Sequence, residues 1–269
     1  NLDPESIEGA LTPKTRAIVV VHTFGFPADL DPVLRIAQKH NLRVIEDACE
    51  AIGAEYRGRK AGGFGDLGVF SFYPNKPITT GEGGVVVTRD PGVAAAIRAL
   101  RNQGRMENDG WLEHTLLGYN YRLPEISCAL GLSQLERIDA ILTRRGAVAQ
   151  RYREAFEAYP DIAIPPMSIA NGRICWFAFV ARLPCGFTQT DRGRLMEALT
   201  SEGIGCRAYF PPIHLQPLYS AYSRNSLPVT EEVSSRTLAL PFFNALTDDA
   251  IAEVCRLVGE TVKQISKKS

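Results

Sequence analysis

Ala17-Ile18-Val19-Val20-Val21 is an unbroken apolar run dominated by β-branched residues. A strand with no polar alternation has no face meant for water, so it belongs in a sheet covered on both sides, as parallel sheets are. The next thirty residues fix the connection. Asp29 to His40 carries Leu30, Val33, Leu34, Ile36 and Ala37 at helical spacing, and Leu42-Arg43-Val44-Ile45 is another short strand. Strand, helix, strand in this order is a βαβ unit, and it makes a doubly wound α/β layer the expectation.

The rest of the chain extends that layer. Gly68–Tyr73 and Gly84–Thr88 read as two strands joined by a polar turn, and Pro91–Arg101 as an alanine-rich helix. Residues 103–122 read as an extended loop, with Gly104, Asn108, Asp109, Gly110, Gly118 and Asn120. Pro124 opens a helical region to about Tyr159, with Ile126, Leu130, Leu132, Leu135, Ile138 and Ile141 on its buried side. Beyond Pro160 the pattern is a strand at Ile174–Leu183, a helix at Gln189–Glu202, a strand at Gly205–Phe210, a proline-rich loop and a last helix from Asp248. The expected boundary falls inside the long helix. It separates residues 1–150, a mostly parallel sheet with helices on both faces, from a small C-terminal α/β domain at 151–269.

Charge excludes several partners. Lys+Arg and Asp+Glu are both 30, so no net field draws the chain to nucleic acid or to anionic lipid. Six cysteines lack any C-x-x-C pair, which offers neither a zinc knuckle nor a disulfide framework and suits a reduced, cytoplasmic setting. No apolar run reaches bilayer length. A small-molecule or protein partner is expected.

Ligands of open α/β sheets bind at the carboxyl ends of the strands. Glu46 and Asp47 end one strand, and Lys76 lies just past another, between Pro74 and Pro77. Desolvation of a lysine favours the free amine that a carbonyl needs. Asp47 is the right type of residue to keep a pyridinium nitrogen protonated, and the Ser71 hydroxyl suits an anionic group. Taken singly, each also fits a turn residue, strand filler or a solvated loop lysine. A metal site built from His22, Glu46, Asp47 and Glu50 is the chemical alternative, without any fixed ligand spacing to support it. Gly63 to Gly68 fits G-x-G-x-x-G but precedes a strand instead of following one, so it reads as a turn. Thr79 to Gly84 lacks the helix a phosphate cradle needs and reads as a tight return into the next strand.

The order of several motifs is more informative than any one. Val44-Ile45-Glu46-Asp47-Ala48-Cys49-Glu50-Ala51, Gly65-Asp66, Phe70 to Lys76, Thr79 to Gly84 and Gly118-Tyr119-Asn120-Tyr121-Arg122 closely resemble the DegT/DnrJ/EryC1/StrS family. The likeness runs from Asn1 through Leu238 to Phe243. These are fold-type-I, pyridoxal-phosphate-dependent enzymes, mostly nucleotide-sugar aminotransferases. The resemblance implies that Lys76 is the Schiff-base lysine and proton shuttle, that Asp47 pairs with the pyridine nitrogen, and that Ala48 lies under the ring. It further implies that Glu50 approaches the phenolic oxygen, as in enzymes resembling perosamine synthases, and that Ser71 binds the phosphate. Asn120 would reach the phosphate of a neighbouring subunit, which implies a homodimer with shared sites. His214 matches a position near the sugar, although a proline-rich surface loop explains it equally well.

The implied reaction moves an amino group from an amino acid, with glutamate the expected donor, to a nucleotide-linked keto-sugar. A lysine where some relatives carry histidine argues against dehydration. A keto-cyclitol substrate, or a non-catalytic sensor of the same fold, are the rivals. Asn1-Leu2-Asp3-Pro4 reads as a helix entry in mid-protein, and the family's opening helix and Gly-Thr turn are not found. The chain is therefore expected to be a fragment lacking on the order of a hundred upstream residues.

Overall fold

The computed structural model describes residues 1–107, 110–221 and 226–267; Asn108 and Asp109 of the predicted loop lie outside them. The chain forms two compact units, Asn1–Leu142 with Ser168–Phe177, and Thr143–Met167 with Ala178–Ser269. The division falls within the same helix as the expected boundary at residue 150, and a short later segment returns to the first unit.

In the first unit a one-turn helix α1 (Ile7–Ala10) leads into β1 (Ala17–Val21), α2 (Leu30–Lys39) and β2 (Arg43–Asp47). β1 and β2 pair in parallel from Ala17↔Arg43 to Val21↔Asp47, so the predicted βαβ unit is present. A small antiparallel turn, β3 (Glu55–Tyr56) with β4 (Arg59–Lys60), precedes β5 (Leu67–Ser71), which adds parallel to β2 with Asp47 opposite Val69. β6 (Gly84–Val87) closes the sheet antiparallel to β5, giving the order β1-β2-β5-β6. Ile18, Val20 and Val44 pack against Leu30, Val33 and Ala37 of α2. The double cover expected for β1 is not realised: Val19 and Val21 point away from α2 and stay exposed.

Asp90 caps α3 (Pro91–Arg101) by accepting from the N–H groups of Gly92 and Val93, with Pro91 at the first helical position. The predicted long helical region is two helices, α4 (Glu125–Leu135) and α5 (Ile138–Phe156). Ile126, Leu130, Leu132 and Leu135 of α4 are exposed, not buried. Their spacing marks an apolar surface, and periodicity alone cannot say what covers it. The returning segment supplies β7 (Gly172–Arg173), which pairs with β3.

The second unit is built around β8 (Phe179–Arg182), paired antiparallel with β9 (Thr237–Leu240), together with the end of α5, α6 (Gln189–Ser201), α7 (Pro228–Arg236) and α8 (Asp248–Ser266). Thr188 and Asp191 form a capping box at the start of α6. The predicted strand at Ile174–Leu183 is limited to Phe179–Arg182, and Gly205–Phe210 contributes one bridge, Arg207 to Ala239, instead of a strand. Phe179 anchors the core: its ring stacks on Tyr152 at 4.6 Å, on Phe156 at 6.2 Å and on Phe242 at 6.4 Å. Tyr152 keeps its hydroxyl satisfied by donating to the carbonyl of Pro241 at 2.7 Å. Truncating Phe179→Ala is expected to cost about 3–5 kcal/mol. Urea unfolding followed by near-ultraviolet circular dichroism checks this; a loss below about 1 kcal/mol would mean that the stack is not the core of this unit.

Candidate active site

Strand alternation sorts the residues at the end of β2. Val44 and Glu46 point into the buried side beneath α2, whereas Asp47 is half-buried on the other face. Asp47 is in register with Val69, and Ser71, two residues further along β5, faces the same way. Asp47 Oδ1 accepts from the N–H of Cys49 at 3.1 Å, which tightens the chain after the strand and turns Cys49 and Glu50 toward the same side.

Lys76 arrives there from the loop between β5 and β6. Its N–H bonds the Tyr73 carbonyl at 3.0 Å, and the Thr80 N–H returns to the Phe72 carbonyl at 3.0 Å. The side-chain amide of Gln134 on α4 clasps Thr79 from both sides, accepting its N–H at 3.2 Å and donating to its carbonyl at 2.5 Å. Gly81 and Gly83 take positive φ in the tight return that the sequence indicates. Held this way, Lys76 Nζ lies 3.6 Å from Glu50 Oε1 and 4.4 Å from the centre of the Phe177 ring. The second oxygen of Glu50 accepts the N–H of Phe24 at 2.8 Å.

This is one electrostatic neighbourhood. Burial pushes the Glu50 carboxyl above the ordinary carboxylate value, while the Phe24 N–H and the Lys76 charge pull against it and Asp47 adds to the push. The Cys49 thiol is driven up to about 12 by burial first and by Asp47 second, so it stays neutral between its charged neighbours. Asp47, Cys49, Glu50 and Lys76 thus converge. Ala48 does not join them. It is fully buried, donates its N–H to the Val69 carbonyl, and packs with Ala51, Ala54 and Ala61 on the reverse side. The turn after β2 leaves Cys49, not Ala48, half-buried beside Asp47, Glu50 and Lys76.

The other candidates sit elsewhere in the chain. Asn120 is exposed, on a segment that bridges to Asn102 just after α3. His214 belongs to the second unit, in a single helical turn, and its Nε2 pairs with Glu231 at 3.0 Å. His22 and Glu46 are fully buried and satisfied by protein. Glu46 accepts from His22 Nε2 at 3.1 Å and from the N–H groups of Gly62, Phe64 and Gly65 at 2.8, 2.6 and 2.7 Å. His22 Nδ1 accepts from the N–H of Ala28 at 3.0 Å, so the ring is neutral with its proton on Nε2. Their lone pairs are committed, which removes both from the metal reading. The G-x-G-x-x-G stretch serves the same network as a turn that points backbone N–H groups at Glu46.

The DegT/DnrJ/EryC1/StrS aminotransferase family profile matches residues 1–259. The chain is a member of that family. GDP-perosamine synthase of Caulobacter vibrioides is 40% identical over 254 residues, covering 94% of this chain and 68% of that protein. The spore coat polysaccharide biosynthesis protein SpsC of Bacillus subtilis is 36% identical, covering 98% and 71%. Among solved structures, the PseC aminotransferase of Helicobacter pylori superposes with a TM-score of 0.92 at 29% identity, over 98% of this chain and 71% of that one. Membership of this aminotransferase family makes the chain part of an enzyme lineage rather than a sensor, and the expected α/β architecture is the one found. No helix among the described residues is long and apolar enough to cross a membrane.

Burial alone would raise the Glu46 carboxyl, but the His22, Gly65, Gly62 and Phe64 donors outweigh it and hold the group below its ordinary value. A carboxyl depressed on folding adds stability above its unfolded value of about 4.3, and that stability is lost as pH falls through the folded value. Glu46→Gln points an amide donor at backbone donors and is expected to cost roughly 3–5 kcal/mol at neutral pH. Denaturant unfolding at pH 7 and in mild acid checks it: the gap to wild type should narrow in acid, and a gap independent of pH would contradict a charged Glu46.

Proposed function

We propose that this family member is a pyridoxal-phosphate aminotransferase that moves an amino group from an amino acid to a keto carbon of a nucleotide-linked sugar. The observation that carries the reading is the convergence of Lys76, Glu50 and Asp47 on one side of the strand ends. The donor set fits the cofactor: an amine for its aldehyde, a carboxylate for its ring nitrogen, a hydroxyl for its phosphate, and a smooth neutral surface at Cys49 for its ring face. When bound, pyridoxal phosphate supplies an aldehyde and an electron-drawing ring that makes the carbon beside the transferred nitrogen acidic.

The residues of the chain do the rest. With the cofactor in place, Asp47 would pair with its ring nitrogen, and Lys76 would hold its aldehyde carbon and supply the amine that moves a proton at the reacting carbon. Glu50, with its raised pKa, is able to hold a proton at the phenolic oxygen, and the Phe24 N–H keeps its other oxygen in place. Ser71 binds the phosphate, and Asn120 of a second copy completes that contact in a homodimer. Glutamate is the proposed amino donor. The sugar reading, over a cyclitol, is supported by relatives such as the UDP-N-acetyl-3-dehydro-alpha-D-glucosamine 3-aminotransferase of Acidithiobacillus ferrooxidans, 35% identical over 258 residues.

Titration with pyridoxal phosphate is expected to give a visible absorbance band that glutamate bleaches. Lys76→Ala should lose the band and slow turnover by roughly 10²–10⁴-fold or more, and Asp47→Asn should keep a weakened band with little turnover. A Lys76→Ala protein that retains both band and turnover of a nucleotide keto-sugar would overturn the assignment.

A further inference from the structure

The turn after β1 holds a conformation that it would not choose by itself. Phe24 has φ of 58°, a left-handed backbone uncommon for a bulky residue. Such strain persists only where the surroundings over-determine it. Here the constraint is visible. His22 spans the turn, its own carbonyl accepting from Gly25 at 3.2 Å and its ring Nδ1 accepting from Ala28 at 3.0 Å. The result of the strained geometry is specific: the Phe24 N–H is aimed at Glu50 Oε2, 2.8 Å away, while Glu50 Oε1 faces Lys76.

We propose that His22 is a positioning residue, which closes the turn over residues 22–28 through its Nδ1 and so presents the Phe24 N–H that fixes Glu50 against Lys76. The two ring nitrogens have separate jobs. Nε2–H serves the buried Glu46 carboxylate and hence stability, whereas Nδ1 serves the turn and hence the orientation of Glu50. The proposal rests on the functional reading above in taking Lys76 and Glu50 as a working pair. The groups that face Glu50 are Lys76, Asp47, the Cys49 thiol and the Phe24 N–H. Losing the last of these withdraws a donor that favours the charged carboxylate, so Glu50 titrates higher.

Two substitutions separate the jobs. In His22→Gln the amide supplies an N–H near the Nε2 position but no acceptor for Ala28, and in His22→Asn the side-chain oxygen replaces Nδ1 but nothing donates to Glu46. His22→Gln is expected to keep most of the stability, to exchange the Phe24 amide hydrogen at least about tenfold faster in cofactor-free protein, and to move the acidic limb of the kcat/KM profile up by about one pH unit. His22→Asn is expected to unfold at lower denaturant with the Phe24 amide still protected and the acidic limb in place. Ala28→Pro, which removes the N–H that Nδ1 accepts, should reproduce the His22→Gln exchange result. Hydrogen exchange needs neither cofactor nor substrate, so it decides the positioning claim even if the transaminase reading fails. An unchanged Phe24 exchange rate in His22→Gln and Ala28→Pro, or a shifted acidic limb in His22→Asn alone, would overturn the proposal.

Discussion

A carboxylate with no surface on water must find a donor for every lone pair it carries inward, because an unpaired buried charge costs several kcal/mol. Glu46 finds four such donors, drawn from two separate parts of the unit: the end of β1 through His22, and the loop before β5 through Gly62, Phe64 and Gly65. The strand ends are thereby tied together from behind. Asp47 is the next residue along, so its direction is inherited from a neighbour that cannot turn. The open side of the sheet is ordered because the closed side is saturated.

The working side has the opposite character. Glu50 sits 3.6 Å from Lys76, longer than a firm ion pair, and the lysine shares its position with an aromatic face. The proposed function asks Lys76 to be bound at one moment and released at another, and partners that hold it loosely suit that. The rigid and the loose halves meet at Phe24, whose backbone belongs to the first and whose N–H acts in the second.

The βαβ unit was legible because Leu30, Val33 and Ala37 fall at helical spacing between two apolar runs, although the run Ala17–Val21 did not show that one of its faces stays exposed. β9 was not. Thr237–Leu240 is buried on all sides over four residues, so it has no alternation to read. The exposed leucines of α4 show the converse, a periodicity that is present without the partner it implies. At the site, Lys76, Asp47 and Glu50 emerged from motif order, but Phe177 could not, since it reaches the lysine only through the return of a distant segment. Cys49 in place of Ala48 was not legible either, because β2 ends at Asp47 and the turn after it breaks the period of two. His22 and Glu46 looked like ligands because donor and acceptor types are written in the sequence and their pairing is not.

The clasp between Gln134 and Thr79 has a consequence for how this protein tolerates change. It couples the placement of Lys76 to a helix more than fifty residues downstream, through the backbone N–H and C=O of one residue gripped by one amide. Under the proposed function, a survey scoring variants by turnover would find Gln134 sensitive through the loop that it holds. Drift at this position of α4 would then be constrained by the placement of a side chain on another element.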